Sequence, residues 1–516
     1  MPNRVQRSDK WSSAFQKIVE QNLSNSLVWV VENQETPDKF HPHFDSIISQ
    51  VQWGFDCCPE LSAHLLLSMH PWPARWALLD TWCYQLEAAI KNKNISIPIR
   101  RRVLACLTDV YMIAGLSCRV LDISKELFQL GPEELEEYAK LITFSGGAWI
   151  SAMISQGKLS QAESTLDEME QRLLSLNFDE LQIQNAAAVL ALQKAILLRH
   201  NNRLFEALEI LTKVINANSH HNLLNRSLFF ELLETRAVFY RAWGDYDAAL
   251  MDLGELQNNY ISTNERLAES SLHGNRGLVY WSMARYDEAE KELLSAIEIT
   301  EKCKAYPLLS RQLGPLSLIY LAKGEIEKAL LFVERQIEIA SAINNTSEQN
   351  LARANRACML IYAQRADEAL PDLLSSLEEM LVQGQKELTI SAHLDLAICY
   401  YMLDDKHNSE HHAQQAYEIS LQSKNAISQM LAMRTLALTQ NESEAIALID
   451  QSLSLAERHG RALDEASCLL YLSQIVSNVD LKKDYRDRAT LILKRIGATK
   501  WLDTDGDQVK ILPLLL

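Results

Sequence analysis

His407 and His411 stand four residues apart with His412 beside them, and a second histidine pair sits at His220 and His221. On a helix the four-residue spacing brings two imidazoles to one face, which is how a zinc site begins. No cysteine or acid stands where it would complete a tetrahedral set, so both groups read as solvated helix faces. "DTDGDQ" (Asp503 to Gln508) has the carboxylates of a calcium loop, but its glycine falls fourth where an EF-hand needs it sixth, and no glutamate follows at the twelfth position. It reads as a polar linker. Cys57 and Cys58 are adjacent and invite redox chemistry, yet the nine cysteines contain no C-x-x-C pair and read as reduced thiols packed as small apolar groups. "FSGGAW" (Phe144 to Trp149) pairs two glycines within a helical stretch, which points to close helix packing rather than a phosphate cradle. No G-x-x-x-x-G-K-[ST] occurs. The expectation is a non-enzyme with no catalytic residue, no cofactor and no metal, and with neither tight binding nor hydrolysis of nucleoside triphosphates.

With chemistry so thinly supported, the elements themselves become the subject. In 516 residues there are only 16 glycines and 12 prolines, too few for the many tight turns of a β-rich or α/β protein. Lysine and arginine total 50 against 67 acids, a formal net charge of −17. A nucleic-acid groove or anionic membrane selects a basic surface, so the expected partner is another protein or peptide segment, with no nucleic acid and no membrane. The one basic cluster is "KNKNISIPIRRR" (Lys91 to Arg102), read as a solvated loop followed by a helix start, with an acidic partner segment as the alternative. No run approaches the roughly 18 apolar residues of a membrane span, and no signal-peptide core follows the N-terminus. A soluble, cytoplasmic protein is expected.

The chain repeats itself. Small residues recur at Ala162, Ala207, Ala249, Ala289, Ala329, Ala369, Ser409 and Ala445, at intervals that settle on 40 residues. Twelve residues before six of these marks lies another small residue, at Ala195, Ala237, Gly277, Ser317, Ala357 and Ala397, and nine before them an aromatic or leucine, as at Tyr240, Tyr280, Tyr320 and Tyr400. Two helices that cross closely leave room only for Gly, Ala or Ser, while the large residue one turn away fills the wedge between hairpins. Gly157, Gly244 and Gly324 stand five before their marks, where the first helix must end in a left-handed cap. Each unit is therefore helix, tight turn, helix.

These residues resemble the tetratricopeptide repeats, whose small, aromatic, aromatic, small, small pattern is met by Gly277, Tyr280, Tyr286, Ala289 and Ala296. The resemblance is strong over 270–303, nearly as strong over 230–260, and extends in weaker form over about 135–460, with helical pairs at 100–131 and 461–500. The period exceeds the family's usual length of about 34. "EQNLSNSLVWVVEN" (Glu20 to Asn33), the tryptophan-rich "WPARWALLDTWCYQLEAAI" (Trp72 to Ile90) and "LILKRIGATKWL" (Leu491 to Leu502) are similar to parts of the helical sensor arms of bacterial STAND signalling ATPases. With no phosphate-loop motif the ATPase is expected to be missing, and the short segment before Lys10 is expected to leave no room for a DNA-binding head.

The resemblance implies an all-α, right-handed superhelical solenoid of helix-turn-helix units of about 40 residues. Three regions are expected: an N-terminal helical region at 1–95, the solenoid at 96–500, and a tail at 501–516 whose "ILPLLL" covers the last hairpin as a cap. It also implies a concave groove lined by the first helix of each pair, with Arg199, Glu234, Arg241, Asn275, Trp281, Arg311, Asn355, Asp395 and Tyr401 facing inward. Asn275-Arg276 and Asn355-Arg356 recur two periods apart, and in peptide-binding members an asparagine here grips a ligand's main chain, while arginines suit carboxylates. The expected function is an adaptor or regulatory subunit holding a protein or extended peptide, in bacterial signalling or defence. The alternative is a peptide or small-ligand receptor of the quorum-sensing type that changes conformation on binding. Failing the groove, Trp72, Trp76 and Trp82 are the next candidates.

Overall fold

The computed structural model describes residues 9–33, 39, 41–70, 72–76, 78–114, 116–128, 141–174, 180–201, 203–221, 224–263, 265–303, 305–343, 346–383, 386–423 and 425–502. Among them every regular element is helical, with no strand. The calcium-like loop and "ILPLLL" lie outside the described residues. Two compact units are distinguished, one running to Leu272 with Lys302–Ala305, the other comprising His273–Glu301 and everything from Tyr306.

The first unit holds α1 (Asp9–Glu32), α2 (Phe44–Cys57), α3 (Pro59–Met69), the short α4 (Trp72–Arg75), α5 (Leu79–Lys91), α6 (Ile97–Ile113) and α7 (Ser117–Leu127). A π-helical turn at Ile142–Gly146 leads into α8 (Gly147–Ser155), and there follow α9 (Leu159–Leu174), α10 (Glu180–His200), α11 (Leu204–His221), α12 (Arg226–Trp243) and α13 (Tyr246–Thr263). One apolar core runs from Val19 to Leu197, and α5 packs on α6 across residue 95. The unit boundary falls within α14 (Arg266–Ser282).

The second unit continues as α15 (Tyr286–Lys302), α16 (Tyr306–Lys323), α17 (Ile326–Ala342), α18 (Thr346–Tyr362), α19 (Ala366–Gln383), α20 (Lys386–Met402), α21 (Lys406–Ser423), α22 (Ala426–Leu436), α23 (Glu442–Arg458), α24 (Ala462–Ile475), α25 (Val479–Arg495) and a 3-10 turn at Thr499–Leu502. From α16 onward each helix packs on its neighbour in sequence. The alternate helices α16, α18, α20 and α22 also touch in succession, as the first helices of stacked hairpins do.

The repeat marks sit where close packing requires them. Ala162, Ala207, Ala249, Ala289, Ala329 and Ala369 are fully buried, as are Ala195, Ala237, Ser317, Ala357 and Ala397. The two small residues of one hairpin meet directly: Ser409 Oγ donates to the Ala397 carbonyl at 2.8 Å. A Cβ at Gly277 would fall 2.8 Å from Leu293 Cγ and 3.3 Å from the Ala289 carbonyl. The turn is equally regular. Asp245, Arg285, Glu325, Arg365 and Asp405 donate their N–H to the carbonyls of Tyr240, Tyr280, Tyr320, Leu360 and Tyr400 at 2.8–2.9 Å, closing each first helix in a Schellman cap. Gly157, Gly244 and Gly324 take the left-handed conformation there, and so do Ala284, Gln364 and Asp404 in the copies without glycine.

Candidate functional site

The residue eight before the mark is Ile154, Arg199, Arg241, Trp281, Leu321, Ile361, Tyr401 and Ala437 in successive copies. In the first unit this register is cationic at Arg199 and Arg241. The Arg199 guanidinium lies over the ring of Phe239, 5.3 Å from its centroid, with Phe239 itself fully buried. Burial holds the Arg199 pKa below the usual arginine range, and burial followed by the neighbouring Arg199 charge does the same to Arg241. His200 is shifted down for the same two reasons. The structure thus brings Arg199 and Arg241 together at the ends of α10 and α12.

In the second unit the same register is largely closed. Leu321 and Ile361 are fully buried, Trp281 packs half-buried against the core, and Tyr401 is half-buried with its hydroxyl pKa raised by burial and then by Asp404. The other inward candidates are divided. Arg311 is exposed beside Glu348, whose carboxyl is raised by burial against the opposing pull of Arg311. Asn275 and Asn355 are half-buried. Asp395 is set deep enough that burial lifts its pKa to about 7.

The Asn-Arg dipeptides have a second cause that the sequence reading missed. Arg276 pairs with Glu292 at 3.3 Å and Arg356 with Asp372 at 3.4 Å, while Arg236, in the same register, makes a bidentate bond to buried Asp252 at 2.8 and 2.7 Å. The spacing is sixteen residues in all three, from first helix to second within one hairpin. Recurrence of the arginine therefore records an intra-hairpin ion pair, and the signal was available as an acid three residues after each mark.

The remaining chemical candidates resolve one by one. His407 and His411 are exposed as expected, but His412 is not part of a solvated face. Its Nδ1 lies 2.9 Å from Nδ1 of His393, and its ring stacks on Tyr400 with centroids 5.5 Å apart. The side chains of His220 and His221 fall outside the described residues. Among the described residues no group of three His, Cys, Asp or Glu is arranged to hold a metal. Burial, with Cys58 beside it, raises the Cys57 pKa to about 11, which disfavours the reactive thiolate. A Cβ at Gly147 would stand 3.2 Å from Gln193 and 3.3 Å from Val189, so this glycine of the pair serves close packing, while at Gly146 a Cβ would meet only ordinary contacts from 3.4 Å. In the basic cluster, Asn92 donates to the Phe55 carbonyl at 2.9 Å and the Ser96 amide to Glu60 at 3.0 Å, pinning the loop before α6. Trp82 is fully buried and Trp76 nearly so; these two are core residues and not a reserve binding surface. A shallow depression of about 490 Å³ on α9 is lined by Ser160, Glu163, Ser164, Asp167, Glu168 and Gln171, all from that one helix. No helix among the described residues is long and apolar enough to cross a membrane.

Against this geometry, the family model of the tetratricopeptide repeat matches residues 270–303, the stretch with the most complete repeat pattern. No curated protein matches the chain. Among solved structures, a Rap protein complexed with competence and sporulation factor is similar at 12% identity and a TM-score of 0.53, over 70% of this chain and 97% of that one. NprR in complex with its cognate peptide NprX aligns at 15% identity and a TM-score of 0.46, over 68% and 99%. A STAND protein with a tetratricopeptide repeat sensor from Pyrococcus horikoshii aligns at 12% identity and 0.43, over 83% and 74%. The chain is an all-α helical-repeat protein that carries a tetratricopeptide repeat at 270–303 and shares the fold of the Rap structure over 70% of its length.

Proposed function

We propose that this protein is a non-enzymatic adaptor or regulatory subunit that binds an acidic protein segment or extended peptide along the first helices of its hairpins. The observation that carries the reading is the Arg199–Arg241 pair. Arginine offers an arriving carboxylate a bidentate fork, and Arg199 is exposed where a carboxylate can reach it. In a chain of net charge −17 such a site stands against the prevailing field and selects for anionic groups locally. The Rap structure of like fold was solved with competence and sporulation factor, and this supports a segment of protein or peptide as the ligand class. Within the second unit, Asn275, Trp281, Arg311, Asn355 and Tyr401 form a separate candidate surface. The reading is tested by affinity capture from the native host with the wild-type chain and with Arg199→Ala/Arg241→Ala in parallel. A partner retained equally by both would exclude the arginine pair as the anchor.

A further inference from the structure

The residue sixteen before the mark lies on the first helix of a hairpin, and the residue three after it lies on the second. In the hairpin of Ala289 these are His273 and Glu292, whose Nδ1 and Oε2 are 2.6 Å apart, an ordinary imidazole–carboxylate contact. In the hairpin of Ala329 they are Leu313 and Phe332, and Phe332 stacks on Tyr320 with centroids 5.3 Å apart and planes at 10°. In the hairpin of Ser409, formed by α20 and α21, both are histidine. His412 stacks on Tyr400 much as Phe332 stacks on Tyr320, with planes at 4°. The stack accounts for a ring at this position but not for its nitrogens.

Those nitrogens meet a second imidazole. His393 Nδ1 and His412 Nδ1 are 2.9 Å apart, with ring centroids at 5.1 Å. His393 is buried, at 7% exposure, while His412 is half-buried and open to solvent on one side. One proton shared between the rings satisfies this contact, yet the separation fits a second arrangement equally well. Two imidazole nitrogens bound at right angles to one ion, each at about 2.05 Å, stand about 2.9 Å apart, whereas tetrahedral ligands stand about 3.4 Å apart. Right-angle nitrogen ligation suits copper(II) and nickel(II) rather than zinc. The electrostatics agree. Burial, then His412 and His411, pushes the His393 pKa down to about 4, and burial, then His411, lowers that of His412. Both rings are therefore neutral at pH 7, the form that ligates a metal.

We infer that His393 and His412 form a binding site for a divalent copper or nickel ion, held by the two Nδ1 atoms with water in its remaining positions. His393 ties the ion to α20 and His412 ties it to α21, so binding staples the two helices of one hairpin. A ring that carries its proton at Nδ1 moves it to Nε2, the other neutral tautomer, and ligates without a change of charge. The exposed His407 and His411, one turn apart on α21, are a competing surface pair for the same ions. The site stands on the second unit alone and is independent of the partner-binding reading.

The test takes the full chain with His407→Gln/His411→Gln as the parent and Ni2+ alone as the probe, near neutral pH. Calorimetry should show Ni2+ binding to this parent. His412→Phe, which keeps a ring on Tyr400 as Phe332 does on Tyr320, should weaken that binding at least about tenfold, and His393→Leu/His412→Phe, which installs the residues of the Ala329 hairpin, should abolish it. Ni2+ should also raise the urea midpoint of the parent and leave that of the double variant where it is, because an ion held only by the folded hairpin stabilises it. Should the double variant fail to fold, His412→Phe carries both measurements. Equal Ni2+ affinity in the parent and in a folded variant, no binding to the parent, or a bound ion that leaves the parent's midpoint unmoved would each overturn the site.

Discussion

At the scale of single residues, sequence and structure meet most closely in the repeat marks and part in the side chains between them. Ala289 is fully buried where two helices cross, so Ala289→Leu should destabilise by about 1–3 kcal/mol through overpacking, read as a shift of the urea midpoint. An unchanged midpoint would mean that the crossing is not there. The ion pairs separate by burial in the same way. Arg236 and Asp252 are both almost wholly enclosed, so Arg236→Ala leaves a buried carboxylate uncompensated and should cost about 3–5 kcal/mol. Arg285 and Glu288 are both about half exposed, and Arg285→Ala should cost at most about 1 kcal/mol from its ion pair. Comparable losses in the two variants would refute the burial argument. Small-residue spacing made Ala289 legible because sterics at a crossing leave few alternatives. Arg236 was legible only through its partner, since a polar residue on a first helix can face the second helix or the open side, and only the acid three residues after the mark, Asp252, says which.

At the scale of the element, α20 carries two opposing titrations. Burial and then His412 push the His393 pKa down to about 4 from 6.5, so the folded state binds this proton less well than the unfolded state, and stability is lost as pH falls from about 6.5 to 4. Burial pushes the Asp395 pKa up to about 7 from 3.8, so the folded state binds that proton better, and stability is lost as pH rises from about 4 to 7. Between about pH 4 and 6.5 the two slopes oppose each other. Relative to wild type, Asp395→Asn should therefore gain stability progressively as pH rises through this window, and His393→Gln should gain it as pH falls. Urea titrations at pH 4.5, 5.5 and 6.5 measure both, and parallel profiles for the two variants and wild type would show that neither group is perturbed as described. The sequence placed Asp395 on an inward face but said nothing of His393, since the partner that buries it, His412, looked from spacing alone like one of three solvated histidines. The helix and turn pattern was legible for a different reason. Glycine at 157, 244 and 324 marks the left-handed cap, and the period carries the same cap to Ala284, Gln364 and Asp404, where residue type alone gives no hint.

At the scale of the whole molecule, one register along the first helices differs from copy to copy, and the proposed binding site rests on that difference. The position eight before the mark is arginine in two copies, Arg199 and Arg241, half-buried tryptophan or tyrosine in two, Trp281 and Tyr401, and buried leucine or isoleucine in two others, Leu321 and Ile361, so only the first pair offers a ligand positive charge. The asparagines Asn275 and Asn355 remain half-buried beside arginines committed to their own hairpins. If the arginine pair is the anchor, each guanidinium that meets a carboxylate should contribute about 1–1.5 kcal/mol, the upper part of the range for an ordinary hydrogen bond and just below that for bonds to charged groups, as suits an exposed Arg199 and a half-buried Arg241. Arg199→Ala/Arg241→Ala should then weaken binding of the captured partner by about 30- to 150-fold. The pair's contribution should shrink as added salt screens the charges, so wild-type affinity should fall between about 0.05 and 0.5 M salt while that of the double variant changes less. Asn275→Ala/Asn355→Ala removes neutral hydrogen bonds of about 0.5–1.5 kcal/mol each, so any loss it causes should be insensitive to salt. Titration calorimetry of the three proteins at both salt concentrations separates the possibilities. A large, salt-independent loss confined to the asparagine variant would move the binding face to the second unit, and equal affinity in all three would move it off the first helices altogether.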